Sequence, residues 1–260
     1  MPLTVDLTGI RGLLRSLRIY RRRDHLDSLT RFMTELAPDA RLVFDVGAHV
    51  GDRVTAFRRN GAKVVAAEPQ PLLARYLRWR FALDGGVTVI EAGLGAAEGQ
   101  ADLRVNRANP TVSTLSGDFI DAADGARGWE GQTWDGTQRI RLTTLDRLIA
   151  THGRPDFIKI DTEGHEAEVL QGLSAPVPLL SFEITTIARA AGLAALAETR
   201  RLGYREFRLT LGESHRWHTG WIDAGAMEST IRDLPDDANS GDVVARDVQN
   251  ADIPLGTGGG

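Results

Sequence analysis

The sequence predicts an α/β fold, with a doubly wound, mostly parallel sheet, helices on both of its faces and an N-terminal helical extension. From residue 42 onward, short apolar segments alternate with segments of helical periodicity, which is the pattern of a parallel sheet with crossover helices. The apolar segments are nearly continuous, as expected of strands buried on both faces. The first of them runs into a glycine turn, which allows a ligand to approach the backbone closely.

The helical extension comes first. Residues 8–23 place apolar residues near helical spacing and fill the other positions with arginines, which predicts a basic amphipathic helix. A second helix is predicted over 26–36, and Pro38 ends the pattern. We assign residues 1–38 to the extension, 39–248 to the main domain and 249–260, which end in glycines, to a disordered tail.

The main domain then alternates strands and helices. Residues 106–138 interrupt this alternation, because they are rich in Gly, Asp, Ser and Thr and show no helix or strand pattern. A long irregular segment of this kind often forms a lid or a binding loop. The predicted strands are 42–46, 63–67, 87–91, 157–160 and 179–184, and the predicted helices are 50–59, 71–83, 165–170 and 187–201.

Composition limits the class of protein. The chain has 260 residues, of which 42% are hydrophobic and 25% charged, so it can bury a sizeable core. Its net charge of −4 argues against a nucleic-acid partner. The lack of cysteine excludes disulfides, thiolate metal sites and a cysteine nucleophile. No apolar run reaches the ~20 residues of a membrane span, and the N-terminus does not look like a signal peptide, so we expect a cytoplasmic location.

The sharpest local signal is the turn after the first predicted strand. Gly47 lets the backbone turn tightly, and Asp45 precedes it, where a carboxylate can bind a ligand ammonium group. A dinucleotide site would need the spacing G-x-G-x-x-G, whereas the spacing here is Gly47-x-x-x-Gly51. An acid at position 45 would also repel a pyrophosphate. By itself, the pattern fits a tight turn without a ligand equally well.

An acid also ends the second predicted strand. Glu68 lies 23 residues after Asp45, and an acid about 20 residues on typically binds the ribose hydroxyls of an adenosine ligand. Pro69 then starts the next helix. The alternative is a carboxylate that only complements the dipole of that helix. Together with the first turn, Glu68 favours an adenosine-containing ligand.

The fourth predicted strand ends in a cluster of ionisable residues. Ligands of doubly wound sheets bind at the carboxyl ends of the strands, so Asp161, Glu163 and His165 are expected where the chemistry occurs. Lys159 lies within the strand and needs a carboxylate partner, because a buried unpaired charge is costly. One alternative is a polar turn that caps the next helix. Another is a divalent metal bound by Asp161 and Glu163, but the spacing does not require a metal and we assign none.

These elements together resemble the FkbM family of methyltransferases over roughly residues 40–185, and residues 241–245 show a weaker similarity to the same family. The resemblance implies a class I methyltransferase, Rossmann-like fold, S-adenosyl-L-methionine as methyl donor, and mostly oxygen acceptors on sugars or natural products. The matching segments are FDVGAHVG at 44–51, AEP at 67–69, TTLD at 143–146, IKIDTEGHE at 158–166, LQG at 170–172 and FE at 182–183.

The resemblance also implies donor-binding roles for Asp45, Gly47 and Glu68. Two positions depart from the family pattern, since the family often has Asn at position 49 and a small residue at position 165. We extend the donor site to Ala48, His49, Gly51 and Gly93, and we assign Ser113, Thr114 and Glu183 to the acceptor.

The expected reaction is O-methylation of a hydroxyl group on a sugar, glycolipid or natural product. An alcohol must lose its proton as it attacks the methyl group, and a carboxylate or imidazole within reach can accept that proton. Asp161 is the first candidate for this base and His165 the second, with Glu163 as a further catalytic candidate. The expected partner is therefore a small-molecule or carbohydrate acceptor.

Two other functions stay open. One is a non-catalytic, cofactor-binding module whose basic helix at 8–23 contacts a membrane or a partner, although we favour a helix packed on the sheet with its arginines in solvent. The other is an NAD(P)-dependent oxidoreductase, which the acid before Gly47 argues against. His215 and His218, on a predicted loop, are weak evidence for a metal, and the sequence does not indicate an oligomeric state.

Overall fold

The computed structural model describes residues 6–247, so the predicted tail at 249–260 lies outside the described residues. The strands are β1 (Leu42–Val46), β2 (Lys63–Ala67), β3 (Val87–Ile90), β4 (Gly93–Leu94), β5 (Gly99–Val105), β6 (Gly136–Thr143), β7 (Phe157–Ile160), β8 (Leu179–Thr185), β9 (Glu206–Leu211) and β10 (Ser240–Arg246). The helices are α1 (Leu7–Tyr20), α2 (Arg23–Leu36), α3 (Asp52–Arg59), α4 (Pro71–Arg80), α5 (Gly117–Ala123), α6 (Leu145–His152), α7 (Glu166–Gln171), α8 (Arg189–Arg201) and α9 (Ala224–Asp233).

The larger sheet has the strand order β3-β2-β1-β7-β8-β10-β9. Its strands run parallel from β3 to β8, whereas β10 is antiparallel to both of its neighbours. The chain reverses its direction of winding between β1 and β7, which is where a doubly wound sheet opens a crevice for ligands. The predicted mostly parallel, doubly wound fold is confirmed.

Helices cover both faces of this sheet. Successive residues of a strand point to opposite faces, so in β1 Val43 packs with α2, α3 and α4, and Phe44 packs with α6, α7, α8 and α9. Both side chains are completely buried. This two-sided burial explains why the strands are apolar along their whole length.

Some helix boundaries differ from the prediction. The helix predicted from residue 50 begins at Asp52, because Gly51 has a φ of +73° and therefore cannot continue a right-handed helix. The helix predicted over 187–201 begins at Arg189, after one turn of 3-10 helix over Thr186–Ala188.

A second, smaller sheet with the order β4-β6-β5 was not predicted. Its β5 and β6 pair antiparallel, and Leu103, Val105 and Ile140 form a small apolar cluster on it. Only alternate residues of these strands are apolar, so they lack the continuous runs that mark the larger sheet. The segment predicted to be irregular, 106–138, contains α5 and the first residues of β6.

The first helix keeps its arginines in solvent, as in the arrangement we favoured, but the residues that it buries are small ones. Its buried residues are Gly9, Gly12 and Ser16, and a Cβ at Gly12 would lie only 2.2 Å from the carbonyl oxygen of Arg107. This close approach turns the small residues inward and leaves Leu7 and Leu14 63% and 58% exposed. Among residues 6–247, no helix has the length and apolar character needed to cross a bilayer.

Candidate active site

The carboxyl ends of β1, β2 and β7 open into a cavity that encloses about 960 Å³, its mouth included. It lies at the point where the sheet reverses its winding, as expected for a ligand site of this fold. Of the residues predicted for the site, its wall contains Asp45, Gly47, Ala48, His49, Glu68, Gly93, Ser113, Asp161, Glu163, His165 and Glu183.

Gly47 allows the first turn to touch the turn after β7. Its φ is +86°, and a Cβ at this position would lie 1.8 Å from the carbonyl oxygen of Asp161. The backbone N–H groups of Gly47 and Ala48 both donate to the carbonyl oxygen of Ala67, at 2.9 and 3.0 Å. The two residues therefore form a narrow floor of the cavity, held against β2 and free of bulky side chains.

Asp45 is a buried carboxylate that lacks a partner. Its side chain lies in the cavity wall and the residue is 1% exposed, yet neither carboxylate oxygen has a hydrogen-bond partner among the described residues. Burial raises the pKa of Asp45 to about 7. A buried acceptor of this kind is costly unless a donor fills the space beside it, and a ligand ammonium group would do so.

Glu68 stabilises the backbone around it and can also bind a ligand. Its two carboxylate oxygens accept hydrogen bonds from the backbone N–H groups of His49 and Gln70, each at 2.9 Å. Each oxygen keeps a lone pair, which a ligand hydroxyl group could use. Burial raises the pKa of Glu68 to about 8. Glu68 therefore does stabilise the backbone at the start of α4, and the lone pairs that remain can still accept hydrogen bonds from a ribose, as predicted.

His49 and Gly51 have different roles. His49 Nε2 lies 2.9 Å from Ser16 Oγ, which connects the donor side of the cavity to α1, and burial lowers the pKa of His49 to about 4. Gly51, which we had assigned to the donor site, does not line the cavity. A Cβ there would lie 2.8 Å from the side chain of Leu77, so Gly51 is needed for the turn and for packing against α4.

Two cations surround Asp161. Lys159, which is 1% exposed, hydrogen-bonds to Asp242 of β10 and lies 3.4 Å from Asp161. This confirms that the lysine inside the strand has carboxylate partners. Arg53 lies 3.8 Å from Asp161 and 3.7 Å from Asp242. Burial alone would raise the pKa of Asp161, but Lys159 and Arg53 outweigh it, and the pKa lies below its ordinary value.

Two glutamates complete a cluster of carboxyl groups. Carboxylate oxygens of Asp161, Glu163 and Glu183 lie within 4.8 Å of one another. Burial and the charge of Asp161 raise the pKa values of Glu163 and Glu183 well above the usual range. Because three like charges so close together do not all ionise, the charge is favoured on Asp161 and protonation is favoured on the two glutamates.

His165 and Glu166 divide the roles expected of the turn after β7. The side chain of His165 is 17% exposed and lines the cavity, and burial lowers its pKa, so that its ring is neutral at pH 7. Glu166 accepts hydrogen bonds from the N–H groups of Thr162 and Gly164, at 2.8 and 3.1 Å. Glu166 therefore has the structural role that we considered for this turn, because it binds the backbone before α7. Asp161 and Glu163 instead face the cavity.

The two residues predicted to contact the acceptor from segment 106–138 behave differently. Ser113 lines the cavity. Thr114 does not: it is 1% exposed, and its hydroxyl group donates to the carbonyl oxygen of Glu163 at 2.6 Å. The side chain of Thr114 thus supports the turn after β7 and lies outside the cavity wall, unlike the acceptor contact that the sequence predicts.

The cavity wall also contains residues that the sequence did not indicate, namely Tyr20, Arg53, Gln70 and Glu213. Arg53 is the second residue of α3, and nothing local separates it from the many other arginines of the chain. Tyr20 and Glu213 come from α1 and from the turn after β9, which only the tertiary fold brings to the cavity. Their positions could not be read from any single segment.

A cavity at the reversal point of the sheet, with an unpartnered acid near the carboxyl end of β1 and a second acid after β2, defines a nucleoside-type ligand site of a doubly wound protein. Residues 45–206 match the model of the methyltransferase FkbM domain family. This match covers more than half of the chain, and the chain belongs to that family. The resemblance drawn from the sequence motifs is thereby confirmed.

Two relatives are similar to the chain at low identity. The hexuronic acid methyltransferase AglP of Haloferax volcanii is 25% identical over 160 residues, which cover 60% of this chain and 60% of the relative. The methyltransferase sdnD of Sordaria araneosa is 28% identical over 159 residues, which cover 52% of this chain and 61% of the relative. The match thus spans about three fifths of the length of each relative.

Solved structures with a similar arrangement include two methyltransferases. The O-methyltransferase from Bacillus cereus in complex with SAH is 11% identical, with a TM-score of 0.42 over 91% of this chain and 90% of that one. A TehB-like SAM-dependent methyltransferase from Corynebacterium glutamicum is 10% identical, with a TM-score of 0.45 over 90% and 93%.

Proposed function

We propose that this protein binds S-adenosyl-L-methionine in the cavity and methylates a hydroxyl group of a sugar, glycolipid or natural product. The observation that carries the proposal is Asp45, a fully buried carboxylate without a partner, which lies beside the glycine floor of the cavity. When bound, the donor supplies an electrophilic methyl group on a sulfonium. Its ammonium group, its ribose and its compact aminoacyl chain match three separate features of the wall.

The three features are a carboxylate, an acid with spare lone pairs and a floor without side chains. Asp45 holds the donor ammonium group, which satisfies its two unpartnered oxygens. Glu68 accepts hydrogen bonds from the ribose hydroxyl groups through its remaining lone pairs. Gly47, Ala48 and Gly93 leave room for the donor because they add little or no side-chain volume to the wall.

Asp161 accepts the proton of the acceptor hydroxyl group. It is the ionised member of the carboxyl cluster, because Lys159 and Arg53 lower its pKa. A low pKa does not prevent this role, since an alcohol that has begun to bond to a methyl group is far more acidic than a free alcohol. Glu183 holds its own proton and orients the acceptor from the end of β8.

The acceptor class rests on the relatives and on the polarity of the cavity. AglP is a hexuronic acid methyltransferase, and a carbohydrate acceptor is therefore the first class to consider. Tyr20, Ser113 and Glu213 supply hydroxyl and carboxylate groups along the wall, which suits an acceptor rich in hydroxyl groups.

The direct test transfers a radiolabelled methyl group from the donor to a panel of uronic acids, neutral glycosides, glycolipids and phenols. We expect label on a carbohydrate that survives mild alkali, because a methyl ether is stable under conditions that hydrolyse a methyl ester. Label that is lost in alkali would reject hydroxyl methylation. Donor binding without transfer to any acceptor would favour the non-catalytic module, and binding of NAD(P) alone would favour the oxidoreductase.

A second observation favours an anionic membrane surface as a partner of α1. The helix directs its small residues inward and exposes Leu7, Ile10 and Leu14, with Arg11 and Arg18 exposed beside them. An apolar stripe flanked by arginines is the pattern of helices that lie in the plane of a membrane surface. Because Ser16 and Tyr20 of the same helix reach the cavity side, such docking would bring the cavity close to a lipid-linked acceptor.

Vesicle sedimentation of the full chain tests this contact. We expect binding to vesicles that contain phosphatidylglycerol and at least about tenfold weaker binding after Leu7→Ser and Leu14→Ser are combined. Leu83→Ser is the matched control, because Leu83 is fully exposed but lies after α4. Equal binding of all three proteins, or none by the unaltered chain, would reject α1 as the contact.

A further inference from the structure

We propose that His25, Glu213 and His215 form a binding site for a divalent transition-metal ion, and that zinc is the ion their chemistry favours. One potential ligand atom from each side chain lies within 4.8 Å of the other two. Two imidazole nitrogens and a carboxylate suit zinc better than magnesium or calcium, which prefer a shell of oxygens. The cluster joins the start of α2 to the turn after β9.

His215 provides the strongest observation. Its side chain is only 10% exposed, and Nε2 has no hydrogen-bond partner among the described residues. The other ring nitrogen, Nδ1, lies 2.9 Å from Ser28 Oγ. When Nδ1 carries the proton and donates it to that oxygen, Nε2 presents a free lone pair to the cluster. Histidine ligands of metals are usually oriented by a hydrogen bond of this kind.

The spacing of the groups fits an ion rather than direct hydrogen bonds. His215 Nε2 lies 3.6 Å from a carboxylate oxygen of Glu213, which is too long for a hydrogen bond. Two ligand atoms that each lie about 2.0–2.1 Å from a tetrahedral zinc are about 3.3 Å apart. The observed separation therefore needs only a small adjustment to hold an ion.

The surroundings favour a positive charge at this position. Asp52 lies 2.9 Å from His25 Nε2, where it orients the ring and adds a second carboxylate to the neighbourhood. Arg53, the cation of the same region, is ion-paired with Asp161 and Asp242 at 3.8 and 3.7 Å. Arg53 also interacts with Asp52 and Glu213. Together with Lys159 it faces four carboxylates, those of Asp52, Asp161, Glu213 and Asp242, which leaves an excess of negative charge that a divalent ion would neutralise.

The ion would fasten the N-terminal extension to the main domain. Asp52 and Glu213 also line the cavity, so the metal would stand in its wall next to Tyr20. The site is separate from the carboxyl cluster of Asp161, Glu163 and Glu183 and shares no residue with it. Its existence does not depend on the methyl-transfer proposal.

Metal binding by the full chain is the test. The protein is stripped with a chelator and titrated with zinc chloride by calorimetry, and cobalt(II) is followed by its visible absorption. We expect one zinc per chain, a higher melting temperature with zinc, and the intense cobalt absorption of a four-coordinate site with nitrogen ligands. Absence of saturable zinc binding would overturn the proposal.

Substitutions locate the ion. His215→Ala should weaken zinc binding at least about a hundredfold and abolish the gain in melting temperature. His218→Ala is the matched control, because His218 lies in the same segment but is exposed and outside the cluster. If His215→Ala folds poorly, Glu213→Gln replaces it, since that side chain is 52% exposed and its loss leaves the core intact. Zinc binding unchanged in either variant would overturn the proposal and assign the ion to the Asp161 cluster.

Discussion

The donor side and the acceptor side of the cavity are assembled in different ways. The donor side consists of Asp45, Gly47 and Glu68, which lie at the carboxyl ends of two adjacent strands and within a short stretch of chain. The acceptor side takes Tyr20 from α1, Ser113 from the segment after β5 and Glu213 from the turn after β9. A short motif therefore suffices to build the donor side, whereas the acceptor side exists only when distant segments meet.

The largest effect is expected where the two sides meet, at Asp161. Asp161→Asn should reduce turnover about 10²–10⁴-fold through loss of the proton acceptor, and leave donor affinity nearly unchanged. Lys159 keeps Asp242 as its partner in this variant, so the fold should persist. Steady-state kinetics and a donor titration measure the two quantities separately.

Two controls accompany this variant. His165→Ala should retain most of the turnover, and an inactive His165→Ala beside an active Asp161→Asn would reverse the ranking of the two bases. Turnover that stops with a chelator and returns with Mg²⁺ would instead assign Asp161, Glu163 and Glu183 to a metal ion.

The next effect concerns the floor of the donor side. Gly47→Ala should lower donor affinity by up to about 100-fold, because the new Cβ meets the carbonyl oxygen of Asp161 and overpacking typically costs about 1–3 kcal/mol. Gly61→Ala is the matched control, since Gly61 also has a positive φ, of +88°, but open space around its Cβ position. Equal donor affinities in the two variants would show that the close approach of residue 47 to the carbonyl oxygen of Asp161 does not limit donor binding.

Glu68→Gln should have a smaller effect on the same side. Charge-assisted hydrogen bonds to hydroxyl groups contribute about 1.5–3 kcal/mol, so above pH 8, where Glu68 is ionised, donor affinity should fall roughly tenfold or more. The free energy of unfolding should also fall, because glutamine has one carbonyl oxygen for the two N–H groups of His49 and Gln70. A loss of stability without a loss of affinity would leave Glu68 only its role at the start of α4.

The smallest expected effect is the dependence of donor binding on pH. Burial raises the pKa values of Asp45 and Glu68 to about 7 and about 8, so the free folded protein holds protons there that the unfolded chain has lost. The free energy of unfolding should therefore decrease as pH rises towards 8. The ammonium group of the donor favours the ionised form of Asp45, and ionisation of this one carboxylate should raise donor affinity about tenfold between pH 6 and 8. A flat calorimetric profile would contradict this assignment.

The contrast between the two sides also explains what the sequence could predict. The bounds of β1, β2 and β7 are as predicted, because strands buried on both faces leave continuous apolar runs. Asp45 and Glu68 were found for the same reason, since one acid interrupts such a run near its end and the other directly follows one. These features depend on the order of residues within one segment.

Other features depend on contacts between segments. The inward face of α1 follows from the approach of Gly12 to the backbone of Arg107, a contact that periodicity within the helix does not indicate. Thr114 turned out to support Glu163, and Gly51 to pack against Leu77, because their partners come from other parts of the chain. His215 was compared with His218 in the sequence, but its neighbour in space is His25.

The identity of the donor is the central claim of the proposed function. A calorimetric titration of the unaltered protein with S-adenosylhomocysteine at pH 8, with NAD as the comparison ligand, measures it without knowledge of the acceptor. We expect saturable binding of one S-adenosylhomocysteine per chain. The free energy of unfolding should rise by about 2.7 kcal/mol at a ligand concentration of 100 times Kd. Saturable binding of NAD in the absence of any binding of S-adenosylhomocysteine would contradict it.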